Sequence, residues 1–311
     1  MSAETAPIAL LAPGQGSQTP GLLVPWLELP GAAEQLATWS QISGLDLARL
    51  GTTATAEEIT DTAVTQPLVV AATLLAHRAL TGRGLLAATP LVVAGHSVGE
   101  IAAYAIAGVI SPDDAIALAA TRGAEMAKAC AVEPTGMSAV LGGDESHVLS
   151  ALSDLDLIAA NRNAVGQIVA AGRLDALAKL AENPPERARV RQLATAGAFH
   201  TQFMAPASDA YAAAAAKVGT ADALATGTTL LSNADGQPVS SPADALAKLV
   251  AQLTRPVRWD LCTETMRARG VAAIVELPPA GALVGIAKRE LKGVPTHAVK
   301  TPDDLDGLAG L

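Results

Sequence analysis

The sequence predicts an α/β protein in which a large domain with a mainly parallel sheet carries a small inserted α+β domain. Three observations support this. Strand-like and helix-like segments alternate towards both ends of the chain, which is the pattern of parallel sheets. Between them, residues 138–193 follow the order strand, helix, strand, strand, helix, strand, which is the order of a ferredoxin-like unit. The 311 residues, half of them hydrophobic, are also enough to bury a large core.

The N-terminal region supplies the first strand and a long buried helix. Residues 8–11 form an apolar strand that leads into the glycine-containing loop 13–18. Glycine permits sharp turns there, and such a loop places backbone N–H groups beside a cleft. We expect the buried helix to begin at Pro67, a residue type suited to the first helical position, and to end near Gly82.

A second strand and two further helices follow. Residues 90–94 are a short apolar run of strand length, and a turn then leads into a helix over 98–107. Ser111 and Pro112 combine a capping side chain with a proline at the first helical position. They predict another helix that runs to about Lys128.

The remaining elements divide the chain into two domains. The insert is predicted to contain strands over 138–141, 157–160, 167–171 and 190–193 and helices over 144–153 and 174–181. After it, helices over 204–218, 243–253 and 259–269 alternate with strands over 229–231, 272–276 and 296–299. We therefore expect a large domain of residues 1–133 and 197–311 and an insert of residues 134–196. The cleft between them is the expected active site.

Composition argues against several classes of partner. The net charge of −9 opposes general binding to nucleic acid or to an anionic membrane, which requires clustered cations. No window contains the ~20 uninterrupted apolar residues that span a bilayer. The N-terminus lacks the features of a signal peptide, and the two cysteines lack the spacing of a metal site. We expect a cytoplasmic protein with a small or locally docked partner.

The turn after the second strand contains a candidate nucleophile. Ser97 lies in Gly95-His96-Ser97-Val98-Gly99-Glu100, between a buried strand and a helix. In the elbow of α/β-hydrolase proteins this arrangement raises the serine oxygen above the sheet and points amides of the helix N-terminus at an oxyanion. The large domain is therefore predicted to be hydrolase-like. We expect His96 to support packing, because adjacent side chains diverge.

A serine nucleophile requires a base, and histidine is the usual one. The chain has five histidines. His200 follows the insert directly and opens a helix, which can return it to the cleft, whereas His297 lies in a C-terminal strand. Spacing favours His200 and leaves His297 as the alternative.

Six short motifs, taken together, extend this interpretation. In chain order they are Gly14-Gln15-Gly16-Ser17-Gln18, Thr65-Gln66-Pro67, the Ser97 turn, Arg122-Gly123, Ala198-Phe199-His200, and Gln252 ahead of Pro256-Val257-Arg258-Trp259. Along nearly the whole chain they resemble the malonyl-CoA:acyl carrier protein transacylases of fatty-acid synthesis. The resemblance implies that malonyl passes from coenzyme A to Ser97 and then to the phosphopantetheine thiol of holo acyl carrier protein, without a cofactor or metal.

The resemblance also implies roles for the residues around Ser97. It implies that His200 takes the serine proton and that the backbone amides of Gln15 and Val98 hold the oxyanion. A carbonyl in the Gln252 region would orient His200, without an acidic third member. No Asp or Glu in the sequence is an obvious candidate for that third member.

Four further residues are implied to bind substrate. Arg122 would clamp the malonyl carboxylate through two parallel hydrogen bonds. Phe199, beside the base, would crowd an α-methyl branch and so favour malonyl over methylmalonyl. Gln66 and Asn161 are also expected in the cleft. The loop after Asn161 lacks the proline that is common in the family.

Two other enzyme classes and a binding module are the alternatives. A discrete acyltransferase that serves a polyketide synthase would share these motifs. An α/β-hydrolase esterase would use His297 as its base and would often carry an HGGG-type loop, which this chain lacks. A non-catalytic docking module would be expected to lack Ser97 or His200. We expect a monomer.

Overall fold

The computed structural model describes residues 6–87 and 89–311. In this part of the chain ten strands form two five-stranded sheets. The strands are β1 (Ile8–Ala12), β2 (Leu91–Gly95), β3 (Thr135–Gly142), β4 (Ile158–Ala164), β5 (Gln167–Arg173), β6 (Ala188–Gln192), β7 (Thr228–Leu230), β8 (Val257–Arg258), β9 (Ala273–Glu276) and β10 (Thr296–Ala298). The α-helices are α1 (Val24–Leu27), α2 (Ala32–Ser43), α3 (Leu47–Thr52), α4 (Thr62–Gly82), α5 (Gly99–Ile106), α6 (Pro112–Cys130), α7 (Glu145–Asp154), α8 (Leu174–Glu182), α9 (Ser208–Ala215), α10 (Pro242–Ala251), α11 (Trp259–Ala268) and α12 (Ala282–Glu290).

The first sheet has the order β10-β9-β1-β2-β7, and all its neighbouring strands are parallel. Its central strand, β1, is buried at every position, as expected where both faces of a parallel sheet are covered. The predicted α/β architecture with a mainly parallel sheet is confirmed. Because the strands are parallel, their carboxyl ends meet at one edge, where the turn after β2 begins.

The second sheet has the order β6-β3-β5-β4-β8. Its first four strands pair antiparallel, whereas β8 pairs parallel with β4. The strand β8 comes from the chain after residue 197, so the two predicted domains share this sheet. A two-residue strand has no periodicity by which its sequence could predict it.

Helix α4 begins earlier than expected. The helix starts at Thr62, and the Asp61 side chain caps it by accepting a hydrogen bond from Ala63 N at 2.8 Å. Pro67 lies inside the helix, so the expectation that it forms the first helical position is wrong. An aspartate cap satisfies an amide that would otherwise lack a partner, and it sets the start of the helix more strongly than the proline does.

Helix α6 packs closely on α4 and is predicted well. It begins at Pro112, with the Ser111 side chain accepting a hydrogen bond from Asp114 N at 3.0 Å, and it ends at Cys130. A Cβ atom on Gly123 would lie 2.7 Å from the carbonyl oxygen of Thr62. Glycine at this position therefore permits the close approach that brings Arg122 towards the first sheet.

The segment after His200 differs from the predicted helix over 204–218. The chain instead forms a 3-10 helix, Gln202–Ala207, followed by α9. Pro206 lies in the 3-10 part and has no amide hydrogen to donate to an α-helical bond. The helices α1, α2, α3 and α12 were not predicted.

Helix α4 is also long and apolar enough to cross a bilayer by length and composition alone. However, 72% of its apolar window is buried inside the protein. Its apolar residues form part of a core that also contains Trp26, Trp39 and Tyr104. Burial by other elements of the same chain explains its hydrophobicity.

Candidate active site

Ser97 lies in a sharp turn between β2 and α5. Its φ angle is +54°, a left-handed conformation that is uncommon for any residue other than glycine. A Cβ atom on Gly95 would lie 2.1 Å from the Gly99 carbonyl carbon, and one on Gly99 would lie 2.3 Å from the Ala12 carbonyl oxygen. The two glycines therefore allow the turn to fold tightly against the end of β1.

The structure brings Ser97 and His200 together. The Oγ atom of Ser97 lies 2.7 Å from Nε2 of His200, which is hydrogen-bond distance. His200 also has a positive φ angle, +62°, and precedes the 3-10 helix that the Thr201 side chain caps. The side chain of His200 is buried, whereas Ser97 is half-buried and faces a cavity.

A main-chain carbonyl orients the imidazole. Nδ1 of His200 lies 2.8 Å from the backbone oxygen of Gln252, which can only accept a hydrogen bond. Nδ1 therefore carries the hydrogen, and the lone pair of Nε2 faces Ser97. Burial, and secondarily the positive charge of Arg122, lower the pKa of His200 to about 3. A neutral imidazole in this orientation is able to accept the serine proton.

Two backbone amides near Ser97 are available to an incoming ligand. The amides of Gln15 and Val98 donate no hydrogen bond within residues 6–87 and 89–311. Val98 immediately precedes α5, so its N–H lies at the positive end of the helix dipole. The amide of Ser97 itself donates to Asn233 Oδ1 at 2.9 Å and is therefore occupied.

A cavity of about 640 Å³ lies between the two sheets and opens beside Ser97. The loops after β1 and β2 contribute Gln15 and Ser97 to the lining, the segment after β6 contributes His200, and β4 contributes Asn161. Phe199 lines the same cavity next to His200. Asn161 and Phe199 lie in the cavity as predicted, although their roles stay predictions. Gln66 was also predicted in the cleft, but it is fully buried and does not line the cavity, because it packs behind Ser97 against Arg122.

Arg122 lies behind Ser97 and is almost completely buried. Its Nη2 atom donates to Gln252 Oε1 at 2.8 Å and lies 3.5 Å from Ser97 Oγ. Its Nη1 atom donates to Gln66 Oε1 at 2.8 Å. Its Nε atom has no hydrogen-bond partner in the described part of the chain. Arg122, Gln66 and Gln252, which were predicted from separate motifs, therefore form one connected group with Ser97.

Sequence reasoning missed two residues of this group. Asn233 follows β7; besides accepting from Ser97 N, it donates from Nδ2 to the Gly95 carbonyl at 2.8 Å. Glu100 accepts hydrogen bonds from Asn233 N at 2.6 Å and from Nε2 of Gln252. The carboxyl end of β7 lies beside that of β2, so the polar pair Ser232-Asn233 soon after that strand was a signal for Asn233.

The burial of Glu100 gives it unusual properties. Burial raises the pKa of its carboxyl to about 8, against the lowering effects of the Asn233 amide, the Arg122 charge and the Gln252 side chain. Glu100 makes no contact with His200, whose imidazole is oriented by the carbonyl of Gln252. It therefore does not stand in the third position of a serine-histidine-acid triad.

In the described part of the chain, the side chains of His297 and His96 make no hydrogen bond to Ser97, although His96 lines the same cavity. His297 is in β10, which β9 and β1 separate from β2, so at roughly 4.8 Å per strand it is about 14 Å from the Ser97 strand. His96 contacts Asn163 Oδ1 at 2.9 Å through Nε2, and its ring packs edge-on against Trp259 at 5.5 Å. These contacts fit a packing role for His96. His297 is too far from Ser97 to act as the base that an esterase would require.

Comparison with known proteins agrees with this geometry. The family model described as the acyl transferase domain matches residues 10–301. The malonyl CoA-acyl carrier protein transacylase of Mycolicibacterium smegmatis is 75% identical over 291 residues, which cover 92% of this chain and 99% of that protein. The crystal structure of the Mycobacterium tuberculosis enzyme, 72% identical, superposes with a TM-score of 0.95 and covers 97% of this chain and 99% of that one.

A more distant structure contains a bound partner. It shows a malonyl-transacylase in complex with its type II polyketide synthase acyl-carrier protein, at 28% identity and a TM-score of 0.90, and it covers 97% of this chain and 99% of that one. The fold and the site define an acyltransferase. On the identity and coverage given above, the chain belongs to the malonyl CoA-acyl carrier protein transacylase family.

Proposed function

We propose that this protein transfers the malonyl group from malonyl-CoA to the phosphopantetheine thiol of holo acyl carrier protein, and so supplies extender units for fatty-acid synthesis. The observation that carries the proposal is the contact of 2.7 Å between Ser97 Oγ and His200 Nε2, in a strained turn beside the buried cation Arg122. The membership of the chain in the transacylase family supports the same substrates.

The proposed reaction has two matching halves. Ser97 Oγ attacks the thioester carbonyl of malonyl-CoA while His200 Nε2 takes the serine proton. The C–S bond then breaks, the coenzyme A sulfur receives that proton from His200, and malonyl remains as an ester on Ser97. In the second half the carrier thiol attacks the ester carbonyl while His200 takes the thiol proton. The C–O bond to Ser97 then breaks, His200 returns the proton to Ser97 Oγ, and malonyl leaves as the carrier thioester. The protein needs no cofactor or metal for these steps.

The oxyanion of each tetrahedral intermediate is assigned to the amides of Gln15 and Val98. Both are without a hydrogen-bond partner in the described residues, and Gln15 lines the cavity that contains Ser97. The Ser97 amide already donates to Asn233 and is not available to the oxyanion. The amide of Val98, the residue after the nucleophile, is therefore assigned to it. Each such donor contributes about 2.7–4 kcal/mol to transition-state stabilisation in measured oxyanion holes.

Arg122 is assigned to the malonyl carboxylate. Its Nη2 atom lies 3.5 Å from Ser97 Oγ, and its Nε donor has no partner in the described part of the chain. A carboxylate two carbons beyond the Ser97 ester oxygen is within reach of these donors, and arginine binds carboxylates with paired hydrogen bonds. The hydrogen bond from Nη1 to Gln66 supports Gln66 as the residue that holds the guanidinium.

Phe199 and Asn161 are assigned to substrate selection. Phe199 lines the cavity directly beside His200, where an aromatic ring would crowd a methyl branch on the α-carbon. Asn161 lines the cavity from the second sheet and offers an amide side chain to the acyl chain or to the pantetheine arm. We infer a preference for malonyl over methylmalonyl.

The proposed domain division is a ferredoxin-like insert of residues 134–196 in a hydrolase-like body of residues 1–133 and 197–311. The order of elements β3-α7-β4-β5-α8-β6, and the antiparallel order β6-β3-β5-β4 in the sheet, support it. The pairing of β8 with β4 would then be the sheet contact that fixes the insert to the body. We also propose that the protein acts as a cytoplasmic monomer.

The carrier protein of a polyketide synthase is the second candidate acceptor. The complex of a related malonyl-transacylase with a type II polyketide carrier protein favours this alternative. The chemistry at Ser97 is the same with either carrier, so the choice depends on the docking surface. Competition between the two holo carrier proteins for the malonyl-enzyme would decide it.

Intact mass spectrometry tests the proposed function directly. The protein is mixed separately with malonyl-CoA, acetyl-CoA and methylmalonyl-CoA, and Ser97→Ala is the control. We expect a malonyl adduct that requires Ser97 and that holo carrier protein, rather than water, removes. An adduct that Ser97→Ala retains, or one that is lost only to water, would contradict the transferase.

A further inference from the structure

Glu100 is a buried acid that the proposed reaction does not use. It lies in the first turn of α5, three residues after Ser97, and only 1% of its surface is exposed to solvent. Both carboxylate oxygens accept hydrogen bonds, Oε1 from Asn233 N and Oε2 from Gln252 Nε2. Both neighbours donate, so these contacts favour the ionised carboxylate and oppose burial, which raises the pKa of Glu100.

The contact with Glu100 fixes the orientation of the Gln252 side-chain amide. Nε2 of Gln252 faces acceptors, namely Glu100 Oε2 and, at 3.3 Å, the backbone oxygen of Ser97. Oε1 of Gln252 faces Nη2 of Arg122 at 2.8 Å. If the amide turned over, its oxygen would face the carboxylate and its NH₂ group would face the guanidinium, and both contacts would be repulsive.

Glu100 and Arg122 also balance one another in charge. Arg122 is fully buried; its positive charge lowers the pKa of Glu100 against the opposing effect of burial, and the Glu100 carboxylate in turn favours the protonated guanidinium, with Gln252 between the two. A buried cation without a nearby anion or a full set of hydrogen bonds is strongly destabilising. The chain of contacts Glu100–Gln252–Arg122 therefore supplies both the orientation and the charge that keep the guanidinium beside Ser97.

We propose that Glu100 is a positioning residue that determines acyl selectivity: through the Gln252 amide it holds Arg122 in the place where the carboxylate of a dicarboxylic acyl group binds. This inference rests on the proposed role of Arg122 in malonyl transfer. The Glu100 carboxylate is connected to Ser97 Oγ through the side chains of Gln252 and Arg122. Its effect falls on substrates that carry a second carboxylate and not on the reactivity of Ser97.

The test compares two reactions of one variant. In Glu100→Gln the new NH₂ group must face either Asn233 N or Gln252 Nε2, so one buried donor loses its acceptor. We expect kcat/KM for malonyl-CoA to fall about 10- to 100-fold, mainly through KM, because one unsatisfied buried donor is worth about that factor. The rate of Ser97 labelling by a neutral fluorophosphonate should stay within about threefold, since labelling needs His200 but no carboxylate clamp.

A second variant removes the side chain of Gln252, the other partner in the contact with Glu100. Gln252→Met removes the side-chain amide but keeps the backbone carbonyl that orients His200. We expect it to lose malonyl selectivity as Glu100→Gln does, and we expect the double variant to lose no more than either single one. If Glu100→Gln does not fold, Gln252→Met decides alone, and unchanged malonyl selectivity in that variant overturns the proposal.

Three results would separate this inference from the proposed function. Equal losses of malonyl transfer and of fluorophosphonate labelling in Glu100→Gln would mean that Glu100 supports the whole turn through Asn233, and the positioning role would be wrong. Additive losses in the double variant would have the same meaning. Failure of the wild-type protein to form a malonyl adduct on Ser97 would instead remove the proposed function itself.

Discussion

The imidazole of His200 is held by the backbone oxygen of Gln252, at 2.8 Å from Nδ1. A carbonyl fixes the tautomer as a carboxylate would, but it adds no negative charge beside the imidazole. Together with burial and the nearby Arg122 charge, this keeps the resting imidazole neutral. The orientation and tautomer of the His200 imidazole are therefore fixed by a main-chain oxygen. The position of that oxygen depends on the end of α10 and on the 3-10 helix Gln252–Thr254.

The first prediction concerns the two candidate bases. His200→Ala should slow malonyl-enzyme formation by about 10²–10⁴-fold, the usual contribution of a positioned general base. His297→Ala is the matched control and should leave the rate unchanged, because β10 lies three strands from β2. The measurement is the rate of adduct formation on Ser97 by quenched-flow mass spectrometry. Similar losses in the two variants would contradict the assignment of His200.

The second prediction concerns pH. Folding lowers the pKa of His200 to about 3, so the imidazole stays neutral as the pH falls from 7 to 5. Labelling of Ser97 by a fluorophosphonate should therefore show no loss centred near pH 6.5, the ordinary value for histidine. The Arg122 charge is one cause of the lowered pKa, so Arg122→Gln should move the acidic loss of labelling to higher pH. A wild-type loss centred near pH 6.5 would show that His200 titrates as an exposed imidazole does.

The third prediction concerns Arg122 and the second carboxylate. Arg122→Lys keeps a positive charge but loses the planar fork that pairs with a carboxylate and spans Gln66 and Gln252. We expect kcat/KM for malonyl-CoA to fall about 10- to 100-fold, since hydrogen bonds to a charged group are worth about 1.5–3 kcal/mol. Acetyl-CoA, which has no second carboxylate, serves as the control substrate and should react at an unchanged rate. Equal losses for both substrates would contradict the proposed role of Arg122 in binding the malonyl carboxylate.

Much of the site could be predicted because its parts are local. The elbow around Ser97 follows from a strand, a glycine-flanked serine and a helix in sequence, and α6 follows from the Ser111 cap and Pro112. The pairing of Ser97 with His200, by contrast, joins residues 103 positions apart. Composition and spacing left His200 and His297 both open, and the family resemblance was needed to choose between them.

The residues that were missed act through long-range contacts. Glu100 belongs to the recognised turn, but its role depends on Asn233 and Gln252, which lie 133 and 152 positions further along the chain. The sequence shows a glutamate in the first turn of a helix, where the helix dipole alone explains it. Likewise, β8 is too short to have a period, and its pairing with β4 arises from packing between distant segments.

The last prediction concerns the two glycines of the elbow. A methyl group on Gly95 would lie 2.1 Å from the Gly99 carbonyl carbon, and both atoms belong to rigid backbone, so neither can move aside cheaply. We expect Gly95→Ala to destabilise the protein by about 1–3 kcal/mol or more, as overpacking does, and to abolish labelling of Ser97 because the turn must open.

Gly285 is the matched control for this substitution. It lies inside α12, and a methyl group there would have no atom within 4 Å. Gly285→Ala should therefore stabilise the protein by about 0.5–1 kcal/mol, the gain in helix propensity from glycine to alanine, without changing the labelling rate. Chemical denaturation of both variants measures the two effects. A Gly95→Ala variant with wild-type stability and labelling would show that the turn is looser than the contacts of Gly95 and Gly99 require.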